Sequence, residues 1–251
     1  MRLFFTVLCA FLFNAAIAQR PKPDLIKSDS GIVTLQPVFH GSLVISWNNK
    51  TIYIDPHGTA ANFAGLKPAD LILITDIHSD HMDTTTLSAL KTSGATFIVP
   101  QAVANLLPPR FKKNMKVMAN GESLTEKTVP ITAIAMYNAP ENDVVHHPKG
   151  RGNGYVLNLA GKIIYISGDT EDSPEMSNLK NIDVAFVCMN QPYTMNVKQA
   201  ASAVLSFKPR IVYPYHYRGQ KGFSDLNAFK KFVLEGDPSI EVRIRKWYGV
   251  R

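Results

Sequence analysis

Residues 75–83 read TDIHSDHMD, two histidines and three aspartates within nine positions, directly behind the apolar run Leu71-Ile72-Leu73-Ile74. A short apolar run of this kind reads as a strand buried on both faces, so the ionisable cluster stands where a core strand ends. In extended chain Asp76 and His78 project to the same side. Asp80 and His81 fall where the chain turns toward a helix predicted over Thr84 to Lys91, so the four side chains can face two neighbouring points in space. Asp83 reads as the N-cap of that helix, which accounts for one carboxylate and leaves the histidine pair to be explained. So many carboxylates at a strand end repel one another, and a cation among them removes that cost; the residue types are ligands for divalent ions.

Working outward, two or three β runs fill Gly31 to Asp55 (GIVTLQPVF, SLVISW and TIYIDP), the last two joined by a turn at Asn48-Asn49. Beyond the histidine segment the text predicts a strand over Thr96 to Pro100, a short helical piece over Ala102 to Leu107, and β structure from Met115 to Asn138 with a turn at Asn120-Gly121. A hairpin follows, Tyr155 to Leu159 and Lys162 to Ser167, and then a buried strand over Val184 to Met189. The chain closes with a helix over Val197 to Phe207, a strand over Ile211 to Tyr215, an amphipathic helix over Ser224 to Leu234 and a strand over Ile240 to Trp247. Strand-rich blocks, each followed by strand-helix units, predict a two-sheet core covered by helices.

The chain has 251 residues, enough for one sizeable core, and no low-complexity linker or short-period repeat divides it. The start, MRLFFTVLCAFLFNAAIAQ, carries one basic residue, an apolar stretch from Leu3 to Phe13 and then Ala16-Ile17-Ala18, the pattern of a secretory signal cut near Ala18. That stretch is too short to span a bilayer, so the expectation is an exported chain, periplasmic or extracellular, with no stable membrane anchor. The predicted organisation is a signal peptide over 1–18, a polar leader over 19–30 and one domain over 31–251. Cleavage takes the formal charge from +7 to +6 and removes Cys9, leaving Cys188 in an apolar run. A lone cysteine forms no internal disulfide, and Cys188 reads as buried packing. No basic stripe with stacked aromatics is evident, so nucleic acid is not an expected partner, and Arg243-Arg245-Lys246 reads as a solvated strand face. No feature of the sequence specifies an oligomeric state.

Other ionisable residues also terminate apolar strands. Ser167-Gly168-Asp169-Thr170 ends KIIYIS, its glycine allowing a sharp turn that points the aspartate inward; Tyr213-Pro214-Tyr215-His216-Tyr217 ends the strand from Ile211; His146-His147-Pro148 precedes a glycine-spaced segment. Several such endings at one sheet edge are the arrangement expected of a dinuclear site.

The order TDIHSDHMD, SGDT, YPYHY resembles the metallo-β-lactamase superfamily of metal-dependent hydrolases, whose hallmark is HxHxDH followed by a bridging aspartate and a distant histidine. FHGSLVISWNNKTIYIDP resembles its opening strands, and MNQPYTM resembles its simpler single-domain hydrolases. The resemblance spans roughly Gly31 to Gly219 and implies an α/β fold, an αββα sandwich of two mixed sheets flanked by helices, with metals at one edge. Carried over by position, it implies Asp80, His81 and His216 as ligands of one metal, Asp169 as the bridge, and His78 on the second metal. Two positions depart from the pattern: Asp76 stands where the first histidine is usual, and Asn138 where another histidine ligand is often found. Asp76 can bind through oxygen, whereas a neutral amide is a poor zinc ligand, so either His147 supplies the missing nitrogen or the second metal is weakly held. The expected cofactor is a pair of divalent ions, zinc first, with manganese or iron favoured somewhat by the added oxygen ligands.

Asp76, Asp80 and Asp169 set three negative charges against four positive, leaving one for a hydroxide to neutralise; water on such a pair loses its proton near neutral pH and becomes the nucleophile. Family analogy gives Asp80 a further catalytic role, steering a proton toward the leaving group. His40, Asp55 and Tyr215 are expected to orient ligands from behind or to meet the substrate, because metal-bound imidazoles need a hydrogen-bond partner. Lys149 and Arg151, and Arg218 beyond His216, are candidates to grip an anionic substrate. The leading expectation is an enzyme: a metal-dependent hydrolase acting on a small ester, lactone, amide or phosphodiester. The alternatives are a phosphodiesterase or nuclease of the same fold, and a non-catalytic metal-binding protein with a degenerate second site.

Overall fold

The computed structural model describes residues 20–139 and 146–248. The predicted signal segment, 1–18, and residues 140–145, between the predicted strand ending at Asn138 and His146-His147, lie outside the described residues.

The first half of the chain builds one seven-stranded sheet. Strands β1 (Asp24–Lys27), β2 (Ile32–Phe39), β3 (Ser42–Trp47) and β4 (Lys50–Ile54) pair antiparallel, and β5 (Leu71–Leu73) then joins β4 in parallel. Helix α1 (Thr84–Ala89) leads to β6 (Thr96–Val99), and α2 (Gln101–Leu106) and α3 (Pro109–Lys112) lead to β7 (Met115–Val117), both strands parallel to their neighbours. The second half repeats the plan. Strands β8 (Ser123–Glu126), β9 (Val129–Met136), β10 (Gly152–Leu159) and β11 (Lys162–Ile166) are antiparallel; α4 (Pro174–Ser177), β12 (Val184–Cys188), α5 (Val197–Phe207) and β13 (Ile211–Tyr215) continue in parallel. A small separate hairpin, β14 (Arg218–Gly219) with β15 (Gly222–Phe223), precedes α6 (Leu226–Gly236) and β16 (Glu241–Val242), which lies parallel to β13. The result is an αββα sandwich of two mixed sheets.

Strand alternation divides the apolar residues between layers. Leu43, Ile45, Ile52 and Leu71 share one core with Ile131, Leu157 and Ile164 of the other sheet. Their neighbours Val44, Tyr53, Ile72 and Phe97 face the opposite way, into a cluster with Leu87 of α1, Val103 of α2 and Phe111 of α3. Each buried aliphatic side chain contributes about 2 kcal/mol, which is why the 71–74 run is apolar on both faces. In the second sheet Tyr165 points outward and meets Phe207 of α5 edge-on, ring centres 5.9 Å apart. Helix α5 starts where its cap dictates: the Asn196 side chain accepts from Lys198 N and Gln199 N while Gln199 accepts back from Asn196 N.

The hairpin turn at Asn48-Asn49 adopts φ 45° and 60°, as a two-residue loop between twisted strands requires. Cys188 is buried, and burial pushes its thiol up to about 12. Among the described residues no helix is long and apolar enough to cross a membrane.

Several expectations are corrected. The segment expected as a polar leader contributes β1, with Ile26 in the core and Asp24 held by Arg245. The last strand shortens to Glu241–Val242, because Arg243 turns to Glu241 and the Tyr213 hydroxyl while Arg245 reaches Asp24; neither arginine belongs to a solvated face. The last helix starts at Leu226, two residues later than its composition suggests, because Asp225 caps it. The single-turn helices α3 and α4 and the β14–β15 hairpin have no periodicity long enough to be read.

Candidate metal centre

The carboxyl ends of β5, β11 and β13 meet at one edge of the sandwich, where open parallel arrangements leave a crevice. Past β5 the chain coils tightly, with His81 N and Met82 N both donating to His78 O at 3.0 and 2.8 Å. This coil turns Asp76, His78, Asp80 and His81 toward the crevice and leaves Asp83 outside it. Asp83 caps α1 through Thr85 N and Thr86 N and also accepts from His57 Nδ1 at 3.1 Å, so neither Asp83 nor His57 faces the centre as a ligand.

His81 is fixed from behind. Asp55 Oδ2 accepts from its Nδ1 at 2.8 Å, and the same carboxylate accepts from Thr75 N and Thr75 Oγ1. With Nδ1 committed to Asp55 as donor, Nε2 is the nitrogen that faces the centre and becomes available to a metal once its proton is displaced. Asp169 arrives on the turn after β11, where Gly168 sits at φ 62° and an added Cβ would collide with Met136. Tyr215 is buried behind this turn, its hydroxyl accepting from Gly168 N at 3.0 Å, which places it as a support for Asp169. His216 follows β13 in a left-handed conformation, φ 46°, with its ring so close to Gly41 that a Cβ there would lie 3.1 Å from His216 Cδ2.

The side chains form two clusters joined by one carboxylate. His81 Nε2 and His216 Nε2 are 3.2 Å apart, and Asp169 lies 3.4 Å from the first through Oδ2 and 3.3 Å from the second through Oδ1. Asp80 closes this cluster, Oδ2 standing 3.4 Å from His216 Nε2 and 3.1 Å from His40 Nε2. On the other side Asp76 Oδ2 is 2.7 Å from His78 Nδ1 and 3.9 Å from His147 Nε2, and His147 Nε2 is 3.5 Å from Asp169 Oδ2. The ligand atoms of Asp76, His78 and His147 gather within 4.8 Å of one another, as do those of His81, Asp169 and His216.

Asn138 and His147, the two candidates for one position, lie side by side. Asn138 Oδ1 accepts from His147 N at 2.6 Å and lies 3.1 Å from His147 Nδ1, and its Nδ2 donates to Tyr193 O. Asn138 therefore orients the imidazole whose other nitrogen faces the centre. Lys149 does not approach: its ammonium pairs with Glu175 at 2.5 Å and lies over the Tyr137 ring. His40 stands at the open side, its Nδ1 2.5 Å from the Tyr248 hydroxyl.

Arg151 is likewise committed to a carboxylate of the protein. Its guanidinium forks onto the buried Asp76 carboxylate, Nε to Oδ1 at 3.1 Å and Nη2 to Oδ2 at 3.0 Å. The two lie 75 positions apart, so nothing local in the sequence announces the pair. Asn190, which donates to Asp169 Oδ2 at 3.3 Å, and Thr75 are further contributors that only the structure identifies.

Charge in the pocket is strongly coupled. Burial alone would raise Asp80, but His81, His216 and His40 hold its carboxyl well below the ordinary range, and His216 and His81 do the same for buried Asp169. Burial would lower His81, yet Asp169, Asp80 and Asp55 push it well above the usual imidazole value. For His40 burial prevails over its bond to Asp80 and lowers it to about 4. The donor set fits divalent metal: Asp169 Oδ1 is buried with no hydrogen-bond partner, and imidazole nitrogens and carboxylate oxygens, the usual ligands of such ions, converge on it.

Residues 34–216 match the family model of the beta-lactamase superfamily domain. The chain is 35% identical over 195 residues to a UPF0173 metal-dependent hydrolase of Pyrococcus abyssi, spanning 74% of this chain and 85% of that relative. A crystal structure of a protein assigned as a metal-dependent hydrolase, from Parabacteroides distasonis, is similar at TM-score 0.79 and 39% identity, over 89% of this chain and 98% of that one. The metallo hydrolase Igni18 from Ignicoccus hospitalis shares the fold at TM-score 0.71 and 23% identity, over 87% and 96% of the two chains. The chain belongs to the metallo-β-lactamase superfamily, as a metal-dependent hydrolase of that fold.

Proposed function

We propose that this enzyme hydrolyses a small ester, lactone, amide or phosphodiester at a two-metal centre. Asp80, His81 and His216 would hold one ion, Asp76, His78 and His147 the other, and Asp169 would serve both. The observation that carries this reading is the single Asp169 carboxylate standing within 3.5 Å of ring nitrogens from both clusters. Four imidazoles favour zinc, with manganese or iron next because three carboxylates accompany them.

A pair of divalent ions in such a site supplies a deprotonated water near neutral pH and polarises the bond attacked. The protein's own groups do the rest. Asp55 and Asn138 fix the ring orientations of His81 and His147. Asp80, with one face toward the cleft and its carboxyl bonded to His40, is positioned to pass a proton to the leaving group, and the His40–Tyr248 contact extends that path outward. The buried walls exclude bulk water from Asp169 and His216.

Purification without chelator followed by metal analysis and a mixed ester, lactone and phosphodiester screen with zinc, manganese and iron tests the reading. About two ions per chain and turnover abolished by Asp80→Ala or His216→Ala are expected; well under one ion with no turnover would sink it. Asp80→Asn with full activity at full metal content would remove the proton-transfer role. The same reading holds that the chain is exported after cleavage near Ala18, which N-terminal sequencing of protein recovered from the cell envelope or medium checks.

A further inference from the structure

Three basic residues follow the ligands in sequence, and the fold treats them differently. Arg151 is committed to Asp76 and Lys149 to Glu175. Arg218, two residues beyond His216, is exposed, and among the described residues no carboxylate pairs with its guanidinium. Its backbone is nevertheless fixed. Gly219 packs so tightly on Gln191 that a Cβ would collide with the Gln191 carbonyl, and Gln220 N donates to that same oxygen at 2.9 Å.

Arg218 lines a cleft of about 280 Å³ together with His40, His57, Asp80, Asn190 and Tyr193. The cleft therefore opens on the Asp80 side of the metal centre. Phe39 stacks on His57 at 5.7 Å and gives it an aromatic wall. Asp80, the carboxylate in the cleft, is already bonded to His40, which leaves the Arg218 charge unmatched beside the reacting position. A guanidinium presents a planar fork suited to two anionic oxygens, and the chain's net charge of +7 draws anions toward it.

We propose that Arg218 binds an anionic group of the substrate, a carboxylate or a phosphate beside the bond to be cleaved, so that the enzyme prefers acidic substrates to neutral ones of the same shape. This rests on the hydrolytic reading of the centre and adds the substrate class. Arg218 is a specificity residue here: it acts on the part of the substrate that does not react.

The test compares metal-loaded full-length protein on mono-p-nitrophenyl glutarate and on p-nitrophenyl valerate, an uncharged ester of similar length. A charge-assisted contact at a partly wet site implies a preference for the charged ester of about tenfold in kcat/KM, expressed in KM. Arg218→Gln is expected to shrink that charged-to-neutral ratio about tenfold, Arg218→Lys to retain part of it, and added salt to weaken the charged ester selectively. An unchanged ratio in Arg218→Gln, or equal loss on both esters, would overturn the proposal. Calorimetric binding of glutarate and of phenyl phosphate provides a second reading. Weaker binding in Arg218→Gln upholds the proposal, the tighter of the two ligands identifies carboxylate or phosphate, and equal binding in both proteins refutes it. Should neither ester be cleaved while these anions still bind through Arg218, the anion site stands, and the hydrolytic reading falls only if the wider lactone, amide and phosphodiester screen also shows no turnover.

Discussion

The two clusters of the centre are built from similar ligands and supported in opposite ways. His81, Asp169 and His216 are buried, and behind His81 stands the Asp55 carboxylate, an anionic partner that strengthens the imidazole as a donor. In the Asp76, His78 and His147 cluster His78 leaves 43% of its side chain exposed, His147 leans on a neutral amide, and Asp76 is gripped by a cation. Negative charge feeds the first cluster and positive charge is added to the second. The comparison teaches that donor count alone does not set affinity: the first position should hold its ion the more tightly.

Asp169 is the one residue both clusters need. Asp169→Asn should release both ions and lower turnover by about a thousandfold, since metals at such a site supply several kcal/mol of transition-state stabilisation; metal analysis alongside kinetics checks it. Retention of one full ion would show that the clusters bind independently.

Next in size is Arg151→Ala. It leaves the buried Asp76 carboxylate unpaired, which should cost the metal-free protein about 3 kcal/mol, while an ion at the second position compensates for much of that loss. Urea unfolding with chelator and with excess zinc reads the difference, and equal losses in both conditions would mean the pair is unrelated to metal.

Asp55→Asn should weaken the first ion by about thirtyfold, the usual effect of removing a carboxylate partner from a ligating imidazole, and Asn138→Ala should weaken the second by less. Stepwise competition against a chelator ranks them; the reverse order would break the comparison.

The smallest effect is on pH. In metal-free protein His81 lies above its unfolded value of 6.5, so its contribution to stability is complete below that pH and is lost as pH rises through the folded value. Asp80 and Asp169 lie below 3.8; theirs is present above that value and lost as pH falls through the folded one. Metal must displace the His81 proton, so affinity at the first position should rise with pH, by up to about tenfold per unit, until pH passes the raised folded value of His81. A flat profile would place the proton elsewhere.

Much of this was legible in the sequence. Long alternating or apolar runs such as SLVISW and VAFVC carry their own strand signal, and the capped helix at Val197 appears at its predicted bounds. The acids and imidazoles that end β5, β11 and β13 stand out because such residues are costly at the ends of buried strands. What could not be read depends on distant partners. Nothing near Arg151 says that its charge is spent on Asp76 and not on a substrate, nothing near Lys149 points to Glu175, and β1 exists because Asp24 and Ile26 find Arg245 and the core.

The chain's text by itself determined the layer pattern, the superfamily and most of the candidate metal-binding residues, because periodicity and chemical type are local properties of a polypeptide. Tertiary structure alone decided that Asn138 serves His147, that Arg151 clamps Asp76 and that Arg218 is left facing the cleft. These are outcomes of which side chains meet across two sheets, and the energy of a buried charge is fixed by its neighbours in space.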